Sequence, residues 1–345
     1  MSLRMELGKD SYDIITEPGC AGRADEYLNL DRKVLVVTDS GVPEEYAQRV
    51  AGKCREAVIC RVPQGEEHKS IETWKMLLET MLSHSFGRKD CVAAVGGGLC
   101  GDMAGFAASS YMRGIDFYNI PTTVLSQVDS SIGGKTAVNL GNIKNIVGSF
   151  YQPKKVLVDV EVLRTLSDRQ VAEGLAEALK MSVAFDRELF EMFEAQPAED
   201  LRDEAFLQQV TERALQIKKR VVEEDVTEQG LRKALNFGHT IGHGIESLCL
   251  DGRLFHGECV AIGMLPMCSP EVRERLLPVL KKLGLPVSCS FSAAQVAEGM
   301  AHDKKGSAGA FTIIETDCIG TYRMRTVDIQ ELTALAAEVC GREEV

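Results

Sequence analysis

Paired cysteines are the first thing this sequence lacks. Its eleven cysteines are odd in number, widely scattered and never in a C-x-x-C arrangement, which argues against a disulfide framework or a zinc ribbon and makes a reduced cytoplasm the expected setting. Long apolar runs are also missing. No stretch approaches the roughly 18 to 20 residues that cross a bilayer, and the N-terminus has no signal-peptide core, so no membrane partner is expected. Positive charge is scarce, with 39 Lys and Arg against 51 Asp and Glu and a formal net charge of −12. That balance argues against nucleic acid or an anionic membrane as partner, and an anionic small molecule would have to be held by cations gathered locally. Internal repeats and low-complexity linkers are absent. What the chain does have is bulk: 345 residues at 45% hydrophobic content suffice for two cores.

Along the first part, apolar runs alternate with turn residues. Ser11 to Ile15 can pair as a strand, and Val34 to Val37 reads as a buried strand ending in the polar turn Thr38, Asp39, Ser40, Gly41. A second run, Ala57 to Val62, leads into PQGEEHKS and then a helix-spaced stretch, Ile71 to Ser83; a third, Cys91 to Val95, ends in Gly96, Gly97 and Gly98. With Phe117 to Ile120 and Val156 to Val158, this alternation predicts a parallel α/β sheet over residues 1–160. Over residues 161–345 the pattern becomes helical in Val162 to Phe185, Asp203 to Glu224, Gly230 to Leu250 and Glu258 to Leu283. A late β-like pair, Ala310 to Glu315 and Ile319 to Met324, precedes a terminal helix, Ile329 to Val339, so the second domain is expected to be mainly helical.

Several stretches carry chemistry. GGGLCGD, Gly96 to Asp102, satisfies G-x-G-x-x-G between a strand and a helix, where backbone N–H groups can meet a diphosphate; it sits on the third strand, unlike an ordinary Rossmann turn. Asp39, Glu66 and Lys69 are candidates for ribose hydroxyls, though each alone reads more readily as a solvated surface charge. PTTVLSQVDSSIGGKTAVN, Pro121 to Asn139, sets Asp129 and Lys135 among hydroxyls and glycines, with Lys144 and Asn145 following, which suits a phosphate or else a mobile loop. In EGLAEALKMS, Glu177 and Lys180 lie three apart, the usual spacing of a surface ion pair. His239 and His243 lie four apart in LNFGHTIGHGIE, one helical turn, with His256 following; two imidazoles joined by Glu177 would leave a metal an open position. Arg232 and Asn236 share the same four-residue spacing just upstream of His239. Lys218 precedes them, and Lys304 and Lys305 add cations in HDKKG.

In order, the motifs VTDSG, GEEHK, GGGLCGD, YMRG, PTT, VDSSIGGKTAVN, IKNIVGSF, EGLAEALK, EQGLR, LNFGHTIGHGIE, FHGE and DKK resemble the 3-dehydroquinate synthase family from about Asp39 to Gly320. The resemblance implies an α/β N-terminal NAD-binding domain with a Rossmann-like parallel sheet, a mainly α-helical C-terminal metal-binding domain, and a cleft between them. It implies Zn2+, with Co2+ a possible substitute, on Glu177, His239 and His256, and assigns His243 to the substrate instead. It implies NAD contacts at Asp39, Glu66, Lys69, Gly98, Leu99, Cys100, Gly101, Asp102, Thr122, Thr123, Lys144 and Thr165. Lys180, His243, Asn236 and Asp129 correspond to catalytic positions, and Lys135, Asn145, Lys218, Arg232 and Lys305 to the substrate pocket. Arg113 corresponds to a phosphate-binding arginine lent across a homodimer.

The family substrate is the sugar phosphate 3-deoxy-D-arabino-heptulosonate 7-phosphate. Its carboxylate and phosphate explain a cationic pocket in an acidic protein. The implied sequence is transient oxidation at carbon 5, β-elimination of phosphate, reduction, ring opening and aldol closure, with the substrate phosphate able to act as base. Competing expectations are a related cyclase such as 2-deoxy-scyllo-inosose synthase, a metal-dependent glycerol dehydrogenase, and a non-catalytic dinucleotide-binding relative. Two departures from the family pattern, Gly41 and the stretch Ser247 to Arg253, bear on adenosine contacts and on the placing of His256.

Overall fold

The computed structural model describes residues 1–141, 143–249, 252–303 and 310–342. Two compact units result, one of Met1–Leu166 with Lys218–Thr227, the other of Ser167–Ile217 with Glu228–Val345.

In the first unit the strands are β1 (Ser2–Met5), β2 (Tyr12–Thr16), β3 (Lys33–Asp39), β4 (Glu56–Val62), β5 (Cys91–Gly96), β6 (Asp116–Pro121), β7 (Lys135–Leu140), β8 (Ile143–Phe150) and β9 (Lys155–Val158). Seven of them form one sheet in the order β1-β2-β9-β6-β5-β3-β4, parallel except for the β1–β2 pair. β3 and β5 are central and covered on both faces, which is why they read as unbroken apolar runs. Their side chains alternate between two cores. Leu35, Val37, Val92 and Ala94 pack with Leu77, Met81 and Met103 from α3 (Ile71–Ser83) and α4 (Gly98–Ser110). Val34, Val36, Ala93 and Val95 pack with Ala24 of α1 (Ala24–Tyr27) and with Ala47 and Val50 of α2 (Glu44–Ala51). β7 and β8 form a separate antiparallel hairpin within the hydroxyl- and glycine-rich region.

The second unit is helical: α5 (Asp168–Phe185), α6 (Arg187–Ala195), α7 (Glu204–Glu224), α8 (His239–Glu246), α9 (His256–Met264), α10 (Pro270–Lys282), α11 (Ala293–Asp303) and α12 (Ile329–Ala336), with the hairpin β10 (Ala310–Glu315) and β11 (Arg323–Asp328). The part of α7 from Lys218 onward belongs to the first unit. Three of the long helical stretches read from the sequence are interrupted. Ser167 starts α5 with a reciprocal capping box to Gln170, cutting off the 3₁₀ turn Val160–Thr165. Gly238, at φ +77°, separates the 3₁₀ turn Leu231–Asn236 from α8. A short 3₁₀ turn, Leu265–Met267, separates α9 from α10, which begins on Pro270 after the capping Ser269. The second strand of the late pair is Arg323–Asp328, not Ile319 to Met324. Gly320 lies in the turn at φ +89°, Thr321 donates to the Cys318 carbonyl, and Arg323 and Arg325 pair with Glu315.

Close helix approach around α8 and α9 rests on glycine. A Cβ on Gly263 would sit 2.1 Å from the Gly238 carbonyl oxygen, and one on Gly257 2.1 Å from that of Glu173. Gly263→Ala is therefore expected to cost about 1–3 kcal/mol, read from urea unfolding; unchanged stability would show that the helices separate freely. All eleven cysteines are free, nine of them buried, with Cys54 half-buried and Cys318 exposed. Among the described residues no helix is long and apolar enough to cross a membrane.

Candidate active site

Helix α5 is buried over most of its length, and it carries Glu177 and Lys180 into the interior at 1% and 2% exposure, so their spacing does not make a surface pair here. Lys180 Nζ donates to Glu177 Oε2 at 2.5 Å. The other oxygen, Oε1, is buried and accepts no hydrogen bond, yet it lies 3.6 Å from His239 Nε2 and 3.4 Å from His256 Nε2. Ligand atoms of Glu177, His239 and His256 all fall within 4.8 Å of one another. An orphaned carboxylate oxygen facing two imidazole nitrogens costs free energy in a dry interior unless a cation meets it, so these residues fit a divalent metal with one oxygen and two nitrogen donors.

His239 is the first residue of α8, and its Nδ1 lies 3.1 Å from the Phe237 carbonyl, which leaves Nε2 as the acceptor nitrogen. His243 lies one turn on, its ring centroid 5.1 Å from that of His239 and 5.8 Å from that of His256. A second grouping, His243, Glu246 and His256, meets the same 4.8 Å limit.

Charges at the site compete. Burial pushes the Glu177 carboxyl up, but Lys180, His239 and His256 outweigh it and hold the group well below the usual range. Burial and the nearby Lys180 charge hold His239 well below its usual value and therefore neutral. Burial also opposes a charge on His256, but the neighbouring carboxylates of Glu177 and Glu246 win and raise it to about 10. Burial likewise pushes the Glu173 carboxyl up, to about 7.

His256 opens α9, and the start of that helix is fixed from two sides. The Phe255 N–H donates to Glu258 Oε2 at 2.7 Å, while Arg169 Nε and Nη2 reach the same carboxylate at 2.6 and 2.7 Å. The Arg169 guanidinium stacks 4.0 Å over the Phe255 ring. Glu258→Ala removes a cap and a bidentate pair, so a loss of about 2 kcal/mol is expected in denaturant unfolding. A loss below about 0.5 kcal/mol would mean that the clamp is idle.

Arg232 and Asn236 lie in the 3₁₀ turn before Gly238 and not in an α-helix continuous with His239. Arg232 is buried, and Asn236 Nδ2 donates to Glu228 Oε1 at 2.7 Å. Lys305 lies outside the described residues.

The glycine turn of the first unit leads from β5 into α4, which starts at Gly98 with no side chain capping its N-terminal N–H groups. A Cβ on Gly97 would stand 3.2 Å from Thr123 Cγ2, and one on Gly101 3.2 Å from Asn119 Nδ2, so the backbone is packed closely against β6 and the turn after it. Open N–H groups on a bare helix start suit a dinucleotide diphosphate. Asp39, at the end of β3, accepts from the Gly41 N–H at 2.8 Å and from the Cys100 thiol at 3.2 Å. Lys69 is buried, pairs with Asp102 at 2.5 Å and donates to Asn145 Oδ1, joining residues expected at cofactor and at substrate. Burial pushes the Asp102 carboxyl up against the opposing charge of Lys69.

Glu66 accepts from Asn139 at 2.9 Å, Thr123 bonds Ser126 at 2.8 Å, and the Thr122 N–H donates to the Gly96 carbonyl at 2.9 Å. Leu99 lies in the first turn of α4, and Thr165 Oγ1 lies 3.4 Å from the Tyr46 hydroxyl. Lys218 Nζ meets Asp129 Oδ1 at 2.8 Å and its carbonyl at 2.6 Å, which makes an ion pair of two residues expected in different roles. Lys135 and Lys144 are exposed on β7 and β8, and Arg113 is exposed at φ +69°.

Sequence reasoning passed over Glu246, Glu258 and Arg169. Only Glu246 left a signal, being three residues after His243 on the same helix.

Comparison with known proteins bears on the whole chain. Residues 59–173 match the family model described as 3-dehydroquinate synthase N-terminal, and residues 174–306 match the one described as 3-dehydroquinate synthase C-terminal. The chain is similar to the 3-dehydroquinate synthase of Geobacter sp. (strain M21), 42% identical over 98% of both chains. It is 38% identical to that of Pelobacter propionicus over 97% of this chain and 98% of the other. Among solved structures it resembles the 2-epi-5-epi-valiolone synthase of Streptomyces hygroscopicus subsp. jinggangensis 5008, bound to NAD+ and Zn2+, with TM-score 0.88, 28% identity and coverage of 97% and 98%. It also resembles a 2-deoxy-scyllo-inosose synthase complexed with carbaglucose-6-phosphate, NAD+ and Co2+, with TM-score 0.89, 26% identity and coverage of 98% and 100%.

Proposed function

The chain belongs to the 3-dehydroquinate synthase family, and from that premise we propose that it converts 3-deoxy-D-arabino-heptulosonate 7-phosphate into 3-dehydroquinate and phosphate, a step of aromatic amino acid biosynthesis in the shikimate pathway. The observation that carries this reading is the buried, unpartnered Oε1 of Glu177 facing His239 and His256. When bound, NAD+ supplies a reversible hydride sink and a divalent ion, Zn2+ or Co2+, supplies Lewis acidity towards the sugar hydroxyls.

The chain's own residues bind, orient and move protons. Lys180 keeps Glu177 ionised for a cation, and with His243 and Asn236 it forms the proposed proton relay, Asn236 being held by Glu228. Asp129 orients Lys218, which with Arg232 supplies cations for the substrate, while Lys135, Asn145, Lys305 and Arg113 take its phosphate. In the first unit the bare start of α4, from Gly98 through Leu99, Cys100 and Gly101, takes the diphosphate. Asp39, Glu66, Lys69, Asp102, Thr122, Thr123, Lys144 and Thr165 complete the cofactor set.

Arg113 acts across a homodimer in this proposal. The β7–β8 hairpin supports a partner, since Leu140, Ile143, Ile146 and Phe150 are 49–58% exposed there. A cytoplasmic setting follows from the free thiols.

Metal-loaded protein with the heptulosonate phosphate and catalytic NAD+ is expected to release phosphate and 3-dehydroquinate in equal amounts. Release from glucose 6-phosphate instead would select the inosose synthase reading, and accumulating NADH the glycerol dehydrogenase one. No phosphate release from folded, metal-replete protein would overturn the assignment.

A further inference from the structure

Two imidazoles face Glu177, and they are backed differently. His239 has a neutral carbonyl at its Nδ1, that of Phe237 at 3.1 Å. His256 has a carboxylate: its Nδ1 lies 3.1 Å from Glu246 Oε2. Glu246 is the last residue of α8 and His256 the first of α9, so this contact ties two helix ends across ten residues of chain. Its side chain is 18% exposed, which leaves the interaction only partly screened by water.

We propose that Glu246 is a positioning residue for the metal site: its carboxylate takes the Nδ1–H of His256 and so holds the Nε2 lone pair towards Glu177 Oε1. The inference rests on the reading of Glu177, His239 and His256 as metal ligands. An imidazole offers one acceptor nitrogen when neutral, so fixing the proton at Nδ1 fixes the donor at Nε2, and a carboxylate partner makes that donor more basic than a carbonyl does. His256 needs this more than His239. It stands on the first turn of α9, at 29% side-chain exposure against 12% for His239, and has no carbonyl partner at its Nδ1 among the described residues.

The competing grouping of His243, Glu246 and His256 would make Glu246 a ligand itself. It does not account for the buried orphan oxygen of Glu177, whereas the arrangement through Nε2 does, and it leaves Glu246 its hydrogen bond.

The test uses the full chain with Zn2+ as probe. Affinity is measured by chelator competition for the unaltered protein, Glu246→Leu, Glu246→Gln and Glu177→Ala, and histidine ring nitrogens are read by two-bond ¹H–¹⁵N NMR in the Zn2+-bound, unaltered protein. The expected spectrum has His256 protonated at Nδ1 and metal-bound at Nε2. Glu246→Leu is expected to weaken Zn2+ binding by about 10- to 100-fold. Glu246→Gln, which keeps an acceptor oxygen, should lose less, while Glu177→Ala should lose far more. His256 metallated at Nδ1, Glu246→Leu binding as tightly as the unaltered protein, or Glu246→Leu losing as much as Glu177→Ala would each overturn the proposal. Zn2+ affinity indifferent to Glu177→Ala would overturn the metal reading as well. The spectrum needs no variant, so a misfolded Glu246→Leu leaves the question decided.

Discussion

Glu177→Ala is expected to abolish tight metal binding and to lower turnover by at least about a thousandfold, the equivalent of roughly 4 kcal/mol of lost transition-state stabilisation. The same change has a separate effect on the fold. Lys180 is 2% exposed and its ammonium bonds the carboxylate at 2.5 Å, so removing Glu177 strands a cation in the interior. Breaking one side of such a pair costs about 3–5 kcal/mol, which should appear as a lower urea midpoint in metal-free protein. Removing both sides differs from removing one. Glu177→Ala with Lys180→Met should recover most of the stability while remaining unable to bind the ion, because an apolar side chain then fills the place of the charge. A single variant that keeps both its stability and its metal affinity would show that Glu177 neither partners Lys180 nor ligates.

Metal affinity is expected to climb about tenfold for each pH unit, hence about a hundredfold from pH 6 to pH 8. The slope follows from which site residues carry protons. Glu177 is held well below the usual carboxyl range and His239 well below the usual imidazole range, so neither binds a proton over this interval. His256, raised to about 10 by Glu177 and Glu246 against the cost of burial, does, and an entering cation must displace that one proton. Without metal the sign reverses for stability. The contribution of protonated His256 is fully present below its unfolded value of about 6.5 and is lost as pH rises through about 10. Chelator competition at several pH values measures the slope; a flat profile would show that His256 is not a ligand, and a slope of two that His239 is protonated as well.

Much of this site was legible because its chemistry depends on residue types at short spacings. The turn Gly96 to Gly98 could be read directly from strand, glycines and helix, since a backbone that must approach a ligand admits few alternatives. His239 and His243 were placed on one face by their spacing, and α8 keeps them there. Glu177 was not legible from spacing: three residues before Lys180, it looks like a solvated pair, and only the burial of α5 makes that pair part of a candidate metal site. The partition of α8 from the 3₁₀ turn before it depends on Gly238 at φ +77°, a conformation that the helical periodicity of Gly230 to Leu250 hides. The register of β10 with β11 was missed because Ile319 and Tyr322 look strand-like while the chain turns at Gly320. Glu246 reaches His256 from 10 residues away and Arg169 reaches Glu258 from 89, and contacts of that kind come from packing, which no local pattern encodes.

The thiols give each unit its own clock. Because Cys318 is exposed and nine others are buried, an alkylating reagent modifies Cys318 at once and reaches the buried ones only when the surrounding structure opens. Cys20, Cys60, Cys91 and Cys100 time openings of the first unit, and Cys249, Cys259, Cys268, Cys289 and Cys340 those of the second. Peptide mapping of the alkylated protein, which assigns each adduct to its cysteine, thus separates, without any introduced probe, the loosening of the nucleotide-binding sheet from that of the helices around Glu177.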